Sequence, residues 1–76
     1  MQADKNLLLL CENIKFLRAK NNLTKKEMAE KLGIGVKSIT QIEFGILPRS
    51  VNAITLFKIH KEFDISIENL LETRIA

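Results

Sequence analysis

A single cysteine, Cys11, leaves this 76-residue chain without the means for an internal disulfide. With His60 as the one histidine there is no ligand set for a metal either, so Cys11 reads as a small core residue and no metal or cofactor is expected. Apolar runs are short: the longest, Leu7 to Cys11, falls far below the ~20 residues that cross a bilayer, and no basic-then-apolar leader opens the chain. These absences predict a cytoplasmic protein with no membrane partner. Also missing are a glycine-rich phosphate loop, a paired nucleophile and base, and any strand-like alternation, repeat or low-complexity stretch. An enzyme is therefore not expected.

What is present is an ordinary globular composition, 46% hydrophobic and 28% charged, in one domain spanning residues 1–76. The charge is unevenly placed. Residues 13 to 49 carry eight basic side chains against three acidic ones, whereas the rest of the chain carries four against six. A polyanion would be met by the middle of the chain.

Leu7, Leu10, Cys11, Ile14 and Leu17 recur at three and four, which predicts a first helix from about Asp4 or Asn6 to Lys20. Thr24 followed by Glu27 reads as a capping box opening a second helix with Met28, Ala29 and Leu32 inside. Gly33 ends it, and Gly45 ends a third helix, Val36 to Phe44, whose inner residues are Ile39 and Ile42. A loop containing the sole proline follows. Ala53, Leu56, Phe57, Ile59, His60 and Phe63 mark a fourth helix, capped by Asn52 or Ser50, and Ser66 caps a short fifth with Ile67, Leu70 and Leu71 inward. The fold class is all-α, a compact five-helix bundle.

Two helices joined by a tight glycine turn, over about residues 24 to 45, describe a helix-turn-helix. With Ile39 and Ile42 inside, Lys37, Thr40, Gln41 and Phe44 project outward, and Val36 and Ser38 lie near the exposed amino end of the third helix. A surface that combines valine, serine, threonine and glutamine with one charge is suited to contact rather than solvation.

The span "LTKKEMAEKLGIGVKSITQIEFG", Leu23 to Gly45, resembles the Cro/repressor-type (Xre-like) helix-turn-helix family, with "IKFLRAKNNL" before it and "LFKIHKEFDISIENLL" after it extending the likeness over about residues 10 to 71. The resemblance implies a lambda repressor-like DNA-binding domain and a sequence-specific transcriptional regulator of double-stranded DNA. It implies base contacts from Val36, Lys37, Thr40 and Gln41, and phosphate contacts from Thr24, Lys25, Ser38 and Arg49. The chemistry agrees, since glutamine pairs with adenine, lysine donates to guanine, and valine or threonine methyls meet thymine. Arg18 and Glu43 occupy positions that the family commonly pairs, as a structural ion pair between helices.

An operator is usually read by two such domains, so a homodimer is expected, with Ile65, Ile67, Leu71 and Ile75 as interface candidates by analogy with compact relatives. Leu9 and Phe16, seven apart on the first helix, offer a rival surface. Alternatives within the resemblance are a phage-type repressor or a restriction-system controller. An interaction module such as an antitoxin is the alternative outside DNA regulation. No small-molecule ligand is expected. Phe44 stands where the family is usually polar, Gly35 where a serine or threonine cap is usual, and "ILPRSVN" lengthens the loop after Gly45. His60 falls at a small-residue position and reads as a hydrogen-bonded residue at the core margin.

Overall fold

Three of the helix starts in the bundle are set by local hydrogen bonds that side chains supply. The structure, a computed structural model, describes residues 5–75 and contains α1 (Lys5–Lys20), α2 (Lys25–Leu32), α3 (Val36–Glu43), α4 (Ala53–Phe63) and α5 (Ile67–Glu72), with no strand among the described residues. At α2 the Thr24 hydroxyl accepts from Glu27 N at 3.0 Å, and the Glu27 carboxylate accepts from Thr24 N at 2.8 Å. Asn52 caps α4 by accepting from the amides of Ile54 and Thr55, and Ser66 caps α5 by accepting from that of Asn69. Gly35 precedes α3 with no side chain to offer.

The helix ends use left-handed backbone. Gly33 (φ 72°) lets Ile34 N donate back to Ala29 O at 3.0 Å, and Gly45 (φ 83°) lets Ile46 N donate to Gln41 O at 2.9 Å. The second turn stops α3 at Glu43, with Phe44 as its cap rather than its last residue.

α1 packs against α3 and α5, α2 against α3 and α4, and α4 against α5. Their shared interior consists of Leu10, Cys11, Ile14, Leu17, Met28, Ala29, Leu32, Ile39, Ile42, Ile59 and Leu70. Leu7 is a correction to the sequence reading. It is 44% exposed, one turn before the α1 stripe meets its neighbours.

Asn13 is fully buried in its place farther along the helix. Its amide nitrogen donates to the carbonyls of Leu70 and Thr73, both at 2.8 Å, and its oxygen accepts from Ile75 N at 3.1 Å. One side chain thus fastens the last described residues to the first helix. No buried side-chain nitrogen or oxygen lacks a partner among the described residues.

The surfaces expected to pair with a second copy are partly covered within the chain itself. Ile65, Leu71 and Ile75 pack against the chain's own core, and Ile67 is half-buried. Leu9 and Phe16 are also half-buried and line separate grooves, Leu9 with Glu72 and Arg74, Phe16 with Lys15 and Ala19. His60 closes the α4–α5 turn by a 2.8 Å hydrogen bond between its Nδ1 and Ile65 O.

Candidate nucleic-acid interface

The tight Gly33–Gly35 connection holds α3 across α2 so that Ile39 and Ile42 are buried and the opposite side of α3 is left open. Val36 is 44% exposed at the amino end of α3, Lys37 is exposed, and Thr40 and Gln41 are half-buried on the same outward side. Phe44 continues that side at 80% exposure, with no partner ring among the described residues. Lys25 reaches from the first residue of α2 to Thr40, its ammonium 3.3 Å from the Thr40 hydroxyl. The amino end of α2 and the outer side of α3 therefore form one surface, with Thr24 exposed at its edge.

A second link joins α3 to the following loop. Ser38 and Ser50 share a 2.9 Å hydrogen bond, and Arg49, the residue before Ser50, is exposed. The sequence offers Ser50 only as a possible cap of α4. Asn52 takes that role, which frees the Ser50 hydroxyl for Ser38 while its carbonyl accepts from Thr55.

A helix-turn-helix family profile matches residues 14–70, and that span contains α2, the glycine turn and α3 as just described. The chain belongs to the helix-turn-helix family. It is 39% identical over 57 residues to an uncharacterized HTH-type transcriptional regulator of Methanocaldococcus jannaschii, an alignment covering 75% of this chain and 83% of that protein. No solved structure gives a significant match. The five-helix, strand-free arrangement of the described residues is the lambda repressor-like form of the family.

Behind the helix-turn-helix surface, Arg18 of α1 and Glu43 of α3 form a two-pronged ion pair. Arg18 Nη2 donates to Glu43 Oε1 at 2.9 Å, its Nε donates to Oε2, and its Nη1 donates to Leu23 O at 3.0 Å. The side chains are 24% and 12% exposed, so the pair is screened from water on most sides. The Arg18 hydrogen bond holds the Glu43 carboxyl below the usual carboxylate range despite partial burial. Glu27 is lowered as well, by the Thr24 backbone amide at the start of α2. Both acids near the interface are therefore ionised at neutral pH, and each is engaged within the protein.

Among the described residues no cluster of His, Cys, Asp or Glu can hold a metal ion, and no helix is long and apolar enough to cross a membrane. The helix-turn-helix surface offers hydrogen-bond donors, acceptors and methyl groups.

Proposed function

We propose that this chain is a sequence-specific regulator that binds double-stranded DNA as a homodimer, with α3 in the major groove. The observation that carries the reading is the open outer side of α3, bounded by Lys25 at one edge and by Arg49 near the other. An α-helix fits the major groove, where each base pair presents its own pattern of donors, acceptors and methyl groups. Gln41 is the candidate partner for adenine and Lys37 for guanine, with Val36 and Thr40 methyls against thymine. Thr24, Lys25, Ser38 and Arg49 would meet phosphate and set the register. The Ser38–Ser50 bond supports treating the loop and α3 as one body on the backbone.

Pairing of two copies would supply the second half-site that a module of this size needs for discrimination. Ile67, with the partly covered Ile65, Leu71 and Ile75, is the candidate seam. All four are only partly buried, so each keeps surface that a second copy could cover.

Selection from random duplexes, followed by titration of the chosen duplex at several salt concentrations, tests the reading. A preferred sequence is expected, with Gln41→Ala and Lys37→Ala each losing about 1–3 kcal/mol of discrimination at one position. Lys25→Ala should weaken all duplexes alike and lower the slope of log K against log salt by about one. If selected and random duplexes bind equally, the regulator reading fails.

A further inference from the structure

DNA reading by α3 leaves one face of α4 without a role. Ile54, Phe57, Lys58 and Lys61 recur along α4 at i, i+3, i+4 and i+7 and so share a side. Ile54 is 66% and Phe57 52% exposed, while the inner side of the same helix is closed by Thr55 and Ile59. With Lys31 of α2 and Glu62, these residues line an open groove of about 350 Å³. Lys31 bonds Glu62 at 3.4 Å, and Lys61 Nζ lies 5.7 Å from the centre of the Phe57 ring. The Lys58 ammonium rests beside Gly33, at the carboxyl end of α2. Three ammonium groups and one carboxylate thus surround two large apolar side chains.

The combination narrows what can cover this face. A phosphate backbone would satisfy the lysines and leave Ile54 and Phe57 with nothing apolar to meet. A second copy placed on the same face by two-fold symmetry would bring two sets of three ammonium groups and one carboxylate into one contact, a net like-charge interface. The face also lies apart from the reading helix. α3 packs on α1 and α2, and α4 on α2 and α5, so α2 stands between them.

We propose that this face docks an acidic amphipathic helix of a partner protein, with apolar residues one turn apart seated on Ile54 and Phe57 and flanking Asp or Glu side chains paired with Lys31, Lys58 and Lys61. Helix-in-groove recognition of this kind takes its grip from apolar anchors at i and i+3 or i+4, and its orientation from the charges around them. The inference stands independently of whether α3 reads DNA.

The test uses the full chain, isotope-labelled for amide NMR and titrated with a synthetic helix bearing Leu and Phe at i and i+4 on a glutamate-rich face. The controls are a scrambled peptide of the same composition and a version with Gln for every Glu. Saturable shifts confined to Lys31, Ile54, Phe57, Lys58 and Lys61 are expected, weakening with salt. Phe57→Ala and the pair Lys58→Glu, Lys61→Glu should each reduce affinity at least about tenfold while melting as the parent does. Ile54→Ser provides a second apolar variant if Phe57→Ala does not fold.

Equal binding of the scrambled or Gln peptide would overturn the proposal. So would concentration-dependent shifts of the same residues without peptide, which would mean self-association through this face. Displacement of Ile54 and Phe57 signals by a random duplex, or capture by phosphatidylglycerol vesicles that is lost in the lysine variants, would assign the face to DNA or lipid instead.

Discussion

Arg18 and Glu43 show how much geometry two side chains can determine. The forked contact can form only when α1 and α3 cross at one angle, because both guanidinium edges and the Leu23 carbonyl must be satisfied together. Removing Glu43 leaves a partly covered guanidinium with one carbonyl partner. Glu43→Ala should therefore destabilise the fold by about 2–4 kcal/mol, given what breaking a buried pair costs. For a domain of this size each kcal/mol lowers Tm by about 4–8 °C, so a thermal melt reads the effect directly. The pH dependence follows from the direction in which Arg18 moves the Glu43 carboxyl. A carboxyl lowered in the folded state contributes fully above the unfolded value of about 4.3 and loses that contribution as pH falls through the folded value. The gap in Tm between the parent and Glu43→Gln should accordingly be widest near neutrality and shrink in acid. Nothing in local periodicity points from residue 18 to residue 43, so only the family pattern made this pair legible. Asn13 was not legible at all, because a polar side chain becomes a core residue only through backbone groups 57 to 62 positions away.

At the scale of the element, boundaries were the most readable part of the sequence, because caps are local chemistry. Thr24 with Glu27, Gly33, Gly45 and Ser66 act on backbone groups within a few residues, and each lies at the end of the helix it marks. Faces were less readable. On α4 the apolar periodicity points Phe57 inward, yet Thr55 is the buried residue, its hydroxyl donating to Ser50 O while its backbone amide donates to the Asn52 side chain. A polar residue satisfied within its own cap can be buried while an aromatic two residues on stays at the surface. The other end of α4 carries a misfit that can be relieved. Asp64 adopts a left-handed backbone (φ 52°) and places a negative charge where the helix dipole is negative. Asp64→Gly removes both penalties against a loss of chain entropy, and should raise stability by roughly 0.5–1 kcal/mol in a urea titration.

For the molecule as a whole, the Asn13 contacts decide whether the bundle is closed. They join α1 to the end of α5 and to the extended residues beyond it, adding polar links to the apolar packing of α1 on α5. Asn13→Asp keeps the shape and the acceptor for Ile75 N, but turns a carboxylate toward the Leu70 and Thr73 carbonyl oxygens. A loss of about 2–4 kcal/mol at neutral pH is expected, since a buried charge would face acceptors only. These neighbours raise the introduced carboxyl's pKa in the folded state. Relative to the parent at the same pH, the deficit should therefore shrink as acid protonates it and restores one donor, which urea midpoints at two pH values would show. The closed bundle also makes Cys11 more than a space-filler. Its thiol is 1% exposed and pushed up by burial, so an alkylating reagent reaches a reactive thiolate there only while the protein is open. For a domain held by about 5 kcal/mol, labelling in the fast-closing regime would run roughly four orders of magnitude slower than on a free thiol. The lone thiol is a native chronometer of that opening, readable by mass without any engineered probe.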